Sequence, residues 1–241
     1  MPLRPALLRF RFAAVAMLAA ASANLSAKVL AEDFSPSATD RKPEQALHGT
    51  LLPDGQTRWV TTPNLSYPPR NAAASGVNVT SLRGYAAKLP LPATPQLVRV
   101  TASLSPLSSD KQNSWTAIGI GNPGSSTLAI TWDAGLLLLV HTDGRFALSY
   151  DDPQPGSGKS RHSIQSEIVP GYKAGQPVLA TLQYDSAKGT VSVWINKREV
   201  LDNYDLKSKG FVPDLSYAGF SGYNQPIGLP PVSGFILETR P

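Results

Sequence analysis

The chain contains no cysteine. This absence excludes disulfide bonds, thiol nucleophiles and cysteine-ligated zinc, and we expect no lipid-anchored lipoprotein. Histidine is scarce as well, since His48, His141 and His162 are the only three. None of them lies near a recognisable nucleophile elbow, and their spacing is unlike that of a zinc site.

The sequence also has no segment of helical period longer than about three turns, which argues against an α/β fold. Its 22 prolines and 19 glycines are spread along the chain, so they separate many short elements. The clearest pattern is instead an alternation of apolar and polar residues on both sides of the turn at Asp185–Gly189. The apolar members are Val178, Ala180, Leu182, Tyr184, Val191, Val193 and Ile195. Such alternation predicts strands with one buried face.

Further strands are expected around this pair. Residues Val98–Leu104 alternate in the same way, and Thr142-Asp143-Gly144 predicts a hairpin because Asp-Gly takes positive φ easily. Two segments, Thr62–Asn78 and Asp151–Arg161, are rich in Pro, Gly, Ser or small residues. They predict a long surface loop and a mobile loop, respectively.

The N-terminus has the features of a secretory signal. A cationic stretch with Arg4, Arg9 and Arg11 precedes an apolar run over residues 12–23 that is too short to span a bilayer. Ala21-Ser22-Ala23 fits a cleavage site, and Ala27 is a later candidate end. We take residues 1–27 as a signal peptide and residues 28–241 as one domain.

A secreted chain without disulfides is typical of a bacterial periplasm or exterior, so we expect a secreted or periplasmic protein. The formal net charge is +5, but three arginines and no acid lie within residues 1–27. The remaining domain therefore carries only about +2, which predicts no nucleic-acid partner. We also expect no transmembrane segment in the mature chain.

The order of these elements resembles that of laminin-G-like, concanavalin A-like jelly-roll domains. The resemblance rests on packing and turn patterns: DFS at 33–35, PDGQTRW at 53–59, WTAIGIG at 115–121, GTVSVWIN at 189–196, AGFSG at 218–222 and SGFILE at 233–238. It spans nearly all of residues 28–241 and implies an all-β fold, a two-sheet antiparallel jelly-roll sandwich. The family often has Asn-Gly where this chain has Asn196-Lys197. Because lysine at positive φ is strained, we expect a wider turn here.

Catalytic signatures of enzymes with this fold are missing. Glucanases place alternating acids on one strand in an ExDxxE-like pattern, since glycoside hydrolysis needs two carboxylates at a defined separation. The five glutamates of this chain lack a partner at strand spacing, and the Gln-x-His motif of alginate-lyase-like enzymes is absent. Asp151-Asp152 lies in the polar segment and predicts a solvated turn. The sequence therefore favours a non-catalytic protein.

Aromatic residues suggest carbohydrate binding. Sugar rings pack their C–H faces on indole or phenol rings while neighbouring amides contact the hydroxyl groups. Trp194 has the opposite strand parity to Val191, Val193 and Ile195, so it is expected to face away from the core, and Trp115 is likewise opposed to Ile118 and Ile120. The predicted carbohydrate-binding residues are Trp115, Trp194, Asn196, Tyr223 and Asn224.

The expected partner is a polysaccharide or a cell-surface glycan. Two alternatives stay open: a polysaccharide lyase or glycoside hydrolase on the same fold, and an envelope module with a structural or protein-interaction role. No cofactor is expected, although calcium is conceivable because laminin-G-like domains sometimes bind it through loop carboxylates. The conceivable donors are Asp110, Asp133, Asp151 and Asp152.

Overall fold

The structure, a computed structural model, describes residues 27–35, 42–69, 72, 75–80, 84–106, 114–123, 132–152, 160–173, 175–223, 227 and 230–241. The predicted signal peptide lies almost wholly outside these residues. Two large antiparallel sheets are present, which confirms the predicted all-β, two-sheet architecture. Within the described ranges, no helix is both long and apolar enough to traverse a bilayer.

The six-stranded sheet consists, in spatial order, of β1 (Lys28–Glu32), β15 (Val232–Arg240), β6 (Leu97–Leu104), β11 (Val178–Asp185), β12 (Thr190–Ile195) and β13 (Arg198–Asp205). The seven-stranded sheet consists of β10 (Ser160–Ile168), β9 (Arg145–Asp152), β8 (Trp132–His141), β7 (Trp115–Pro123), β14 (Tyr217–Tyr223), β5 (Tyr85–Pro90) and β2 (Val60–Thr61). A two-stranded ribbon pairs β3 (Leu65–Ser66) with β4 (Asn78–Val79), and a short 3₁₀ helix, Lys207–Lys209, follows β13.

The strands predicted from the alternation of apolar and polar residues lie in the six-stranded sheet. Along β11 every second residue is buried, from Val178 to Tyr184, and β6 repeats the pattern beside it. The alternate residues of both strands face away from the other sheet and are half-buried. Each strand thus contributes one apolar row to the core and one polar row to the outer face, as period-two sequences require.

The core lies between the two sheets and is centred on aromatic rings. Trp59 is fully buried, with its ring centroid 5.4 Å from that of Phe220 in the seven-stranded sheet and 5.2 Å from that of Phe235 in the six-stranded sheet. Phe34 packs against Trp59 at 5.9 Å. The segment that precedes β2 therefore supplies the ring that joins both layers.

Both predicted loops are wrong in part. Asp151 belongs to β9 and Arg161 to β10, two strands that pair with each other, so only residues 153–159 between them lie outside the described part. The predicted surface loop Thr62–Asn78 is wrong for part of its described residues, because Leu65, Tyr67 and Val77 are buried in the main core. These side chains pack the described parts of the segment against the sheets despite its proline content.

The turn at Asn196-Lys197 is not wider than in an Asn-Gly hairpin. Ile195 pairs directly with Arg198, so the loop has two residues. Asn196 and Lys197 have φ of 51° and 69°. Both residues thus adopt the left-handed conformation of a type I′ turn, and lysine occupies the position where glycine is preferred.

The two lateral seams of the sandwich, where edge strands of opposite sheets meet, differ. On one side β10 approaches β13, where Nε2 of Gln165 donates to the carbonyl oxygen of Val200 at 3.2 Å. Tyr150 and Phe211 pack beneath this contact with ring centroids 4.4 Å apart. On the other side β1 and β2 are the edge strands, and a cavity opens between them.

Candidate functional site

The outer face of the six-stranded sheet carries a partly exposed tryptophan. Trp194 of β12 is half-buried and faces away from the core, whereas Val193 and Ile195 on either side of it are buried. The predicted orientation of Trp194 is therefore correct. The register then sets its neighbours, because Trp194 pairs with Thr181 of β11, which pairs with Thr101 of β6.

A polar row lies beside the row that contains Trp194. Gln183 of β11 pairs with Arg99 of β6, which pairs in turn with Glu238 of β15. All three side chains are half-buried. We call the six residues of these two rows the indole surface; they are Trp194, Thr181, Thr101, Gln183, Arg99 and Glu238.

Arg99 and Trp194 meet across the intervening strand. The guanidinium carbon of Arg99 lies over the indole ring, 5.0 Å from its centroid, although β11 separates the two strands that carry them. This cation–π contact contributes about 0.5–1 kcal/mol at such a partly exposed site. In the described part of the chain no group accepts a hydrogen bond from the buried Nε of Arg99. The Trp194 ring thus contacts a guanidinium whose Nε–H has no acceptor among the described residues.

Hydroxyl groups lie next to this pair. The Oγ1 atoms of Thr101 and Thr181 are 3.0 Å apart and share one hydrogen bond. Each hydroxyl has one donor and two acceptor positions, so the pair keeps capacity for further partners. The indole surface therefore combines one flat aromatic ring with hydroxyl, amide, guanidinium and carboxylate groups.

Asn196 is adjacent to the indole surface, but two of its hydrogen-bonding groups are already bonded to Leu179 of β11. Its side-chain oxygen accepts a hydrogen bond from the backbone N–H of Leu179 at 3.0 Å, and its own N–H donates to the carbonyl of Leu179 at 2.7 Å. These contacts fix the residue at the end of β12. Only its Nδ2 group is left to act as the predicted donor to a ligand.

A second aromatic group lies on the outer face of the seven-stranded sheet. Tyr223, Trp115 and His141 are paired directly across β14, β7 and β8. Trp115 keeps 7% of its surface exposed and packs with Leu137 and Leu139, while Tyr223 is half-buried. Tyr223 is the last residue of β14, and Asn224 lies outside the described residues.

His141 is absent from the predicted site residues, since a position directly before the Thr142-Asp143-Gly144 turn favours solvent exposure. The structure shows that it is half-buried next to Trp115. Burial lowers the pKa of His141, the positive charge of Arg145 lowers it further, and Asp143 opposes the shift. The signal that would have identified it is parity, since His141 follows Leu137 and Leu139 on the same face of β8.

The five predicted binding residues therefore do not form one site. Trp194 and Asn196 belong to the six-stranded sheet, whereas Trp115 and Tyr223 belong to the seven-stranded sheet. Because both tryptophans face outward, the two sets lie on opposite faces of the sandwich. Of the two indoles, that of Trp194 is the more accessible.

Asp151 is not the solvated turn residue that the sequence suggested. It is 2% exposed, and its two carboxylate oxygens accept hydrogen bonds from Nε and Nη2 of Arg161, both at 2.9 Å. Bonding to Asp151 raises the pKa of Arg161, while burial opposes the shift. The Oγ of Ser149, two residues before, is buried and without a hydrogen-bond partner among the described residues.

Calcium stays a prediction. In the described ranges no three histidine, aspartate or glutamate side chains lie close enough together to hold a metal ion. Of the conceivable donors, Asp151 is bonded to Arg161, and Asp110 lies outside the described residues. The side chains of Asp133 and Asp152 are outside them as well, although their backbones belong to β8 and β9.

No protein-family model and no curated protein sequence matches the chain. Similar solved structures include the carbohydrate-binding module CBM66 from Bacillus subtilis, with 10% identity over 83% of this chain and 98% of that one and a TM-score of 0.44. A family 16 glycoside hydrolase endo-glucanase from Bacteroides ovatus has 10% identity, coverage of 86% and 96%, and a TM-score of 0.48.

The carbohydrate recognition domain of Emp46p is similar as well, with 13% identity over 76% of this chain and 87% of that one and a TM-score of 0.47. These likenesses concern overall architecture. At such identities and TM-scores they carry no statement about the residues or the function of this chain.

Proposed function

We propose that the protein is a secreted or periplasmic, non-catalytic carbohydrate-binding β-sandwich that binds a polysaccharide or cell-surface glycan through the indole surface. The observation that supports this most directly is Trp194, a partly exposed indole that faces away from the core among hydrogen-bonding side chains. A buried-core role would require the opposite strand parity.

The chemistry of the indole surface fits a sugar ring. The apolar C–H face of a pyranose packs on an indole, and the ring hydroxyls around its edge need both donors and acceptors. Gln183 offers both through one amide, and the hydroxyls of Thr101 and Thr181 can do the same. Arg99, whose guanidinium lies over the ring of Trp194, adds N–H donors next to the indole.

The opposite face supports the proposal less. Trp115 is almost fully covered, so a sugar could reach only a small part of its ring. Trp115, Tyr223 and Asn224 stay predictions for a second contact region. Glycoside hydrolase or lyase activity, and a structural role in the envelope, are outcomes that the experiment below distinguishes.

The first prediction is that Trp194→Ala weakens glycan binding. Loss of a central aromatic contact typically costs about 2 kcal/mol or more in binding free energy, so the dissociation constant should rise about 30-fold. The measurement is retention on a glycan array, followed by titration with the best ligand. Trp194→Phe should keep part of the affinity, because it retains a ring.

The matched control is Val212→Ala, which removes an exposed apolar side chain elsewhere and should leave glycan binding unchanged. Trp115→Ala tests the predicted second contact region and should weaken binding less than Trp194→Ala, because its ring is almost fully covered. Equal affinity of Trp194→Ala and the wild type would overturn the indole surface as the site. New reducing ends or shortened chains after incubation with a polysaccharide would show an enzyme instead. Absence of glycan retention by the wild-type protein would favour the envelope module.

A further inference from the structure

The open seam of the sandwich contains a cavity that the proposed glycan surface does not use. It has a volume of about 490 Å³ and lies between β1 and β15 on one side and the segment leading into β2 on the other. Ligand pockets commonly enclose about 300–1,000 Å³. At the opposite seam, the described residues of β10 and β13 are in contact through the Gln165–Val200 hydrogen bond.

The floor of the cavity is apolar. Leu30 of β1 and Leu237 of β15 line it from the core side and are 5% and 1% exposed. Leu91 and Val60 line it nearer to solvent, and Val60 keeps 38% of its surface exposed. An alkyl chain that entered here would remove this apolar surface from water, which is favourable in proportion to the area covered.

The charged residues that line the cavity are both cations. Lys28 and Arg58 contribute to its wall, and none of its lining residues is an aspartate or a glutamate. Lys28 is already neutralised, because its amine lies 3.2 Å from the carboxylate of Asp54 and donates to Oγ1 of Thr57 at 3.1 Å. Burial raises the pKa of Asp54, but bonds from Thr57, Gln56 and Lys28 outweigh it and hold this pKa below its ordinary value.

Arg58 has no such compensation. Its Nη1 donates to the carbonyl oxygen of Gly49 at 2.6 Å, and no carboxylate of the described residues pairs with it. A guanidinium has five N–H donors in a planar fork, so four of them are left, and the geometry suits the two oxygens of a carboxylate. The cavity thus places an unpaired cation at the rim of an apolar floor.

We infer that this cavity binds an alkyl carboxylate, with the carboxylate on Arg58 and the alkyl chain over Leu30 and Leu237. Charge selects an anionic head group, and the floor selects an unbranched apolar tail. The site is independent of the indole surface, since Trp194 lies on the outer face of the sheet and the cavity opens at its edge. A glycan ligand and an alkyl carboxylate should therefore bind together without competition.

The test is isothermal titration of the full-length protein with hexanoate, octanoate and decanoate below their micellar concentrations. Each added methylene should lower the dissociation constant by up to about fourfold while the chain still fits. Decanol, which lacks the charge, and decyltrimethylammonium, which reverses it, should bind at least about tenfold more weakly than decanoate.

Arg58→Gln should weaken decanoate binding about tenfold or more, because charge-assisted bonds to the head group are lost. Val212→Ala, outside the cavity, should leave it unchanged. Val60→Asp, which puts a negative charge at the exposed wall, supplies a second variant that should weaken decanoate but not decyltrimethylammonium. Equal affinities for decanol and decanoate, no effect of chain length, or an unchanged affinity of Arg58→Gln for decanoate would each overturn the inference. So would the absence of saturable heat at millimolar ligand at two well-separated temperatures, since the enthalpy of apolar burial changes strongly with temperature.

Discussion

At the scale of the residue, Asp151 and Arg161 form the best-defined charged contact of the seven-stranded sheet. Both oxygens of a carboxylate that is 2% exposed bond to one guanidinium. Such a bidentate pair is strong because it is charge-assisted and planar, but it also carries a desolvation cost. Removal of only one partner lowers the free energy of unfolding most, since it leaves the other charge without an opposite charge beside it.

We expect Arg161→Ala to lower the free energy of unfolding by about 2 kcal/mol, because it strands the buried carboxylate. Urea denaturation measures this, and a double-mutant cycle with Asp151→Ala gives the coupling energy. Arg145→Ala is the matched control: Arg145 lies 3.7 Å from Asp143 in an exposed pair, so its loss should cost less than about 1 kcal/mol. Equal costs for the two arginines would contradict the structural role of Asp151.

At the scale of the element, the β12–β13 hairpin turns through Asn196 and Lys197, both at positive φ. Asparagine tolerates this conformation, whereas lysine is strained in it. Two sets of contacts stabilise the two-residue turn: the pairing of its flanking strands and the hydrogen bonds between Asn196 and Leu179. These contacts offset the backbone strain at Lys197.

Lys197→Gly should consequently raise the free energy of unfolding by about 1 kcal/mol, since glycine adopts positive φ without steric cost. Thermal unfolding followed by circular dichroism measures the change. Arg198→Gly, one residue later in β13, has no such strain to relieve and should lower stability by about 0.5–1 kcal/mol. A loss of stability in both variants would show that the turn stores no strain.

The same scale shows which elements the sequence predicts. Strands β6, β11 and β12 are predictable because buried residues such as Val100, Leu182 and Val193 alternate with polar ones. Strand β10 is not, since as an edge strand of polar composition it has little apolar periodicity to show. Its contacts with β9 include the backbone pairing, the Asp151–Arg161 bond and the stacking of the His162 ring on that of Tyr150 with centroids 4.6 Å apart.

The candidate site was predictable only in part, for a topological reason. Parity states that Trp115 and Trp194 each face away from a core, and both predictions hold. Strand parity does not predict which of the two sheets a strand joins, because strand order depends on pairing between residues far apart in sequence. The assignment of Trp115 and Trp194 to opposite faces therefore needed the three-dimensional structure.

At the scale of the whole molecule, Trp59 connects the layers. It contacts Phe220 from one sheet and Phe235 from the other, and it is fully buried. No described residue accepts a hydrogen bond from its Nε1. Trp59 therefore stabilises the fold through packing alone, and its unpaired N–H lowers the stability of the folded state.

We expect Trp59→Ala to lower the free energy of unfolding by about 3–5 kcal/mol, as large-to-small changes in a core do. Trp59→Phe should cost considerably less, because it keeps a ring and removes the unpaired N–H. Guanidinium denaturation followed in the near and far ultraviolet gives both values. Trp194→Ala is the control of the same residue type and should cost under about 1.5 kcal/mol; a penalty like that of Trp59→Ala would contradict its place on the outer face.

The position of Trp194 within a broad sheet face also bears on how a polymer would be recognised. The indole surface is built from neighbouring strands of one sheet rather than from the rim of a pocket, and its two rows of side chains run across β12, β11, β6 and β15. A polymer bound to the indole surface would therefore lie across a sheet face rather than enter a pocket. We therefore expect the indole surface to bind internal stretches of a long polymer better than its ends. A longer polymer also offers more equivalent registers in which to bind.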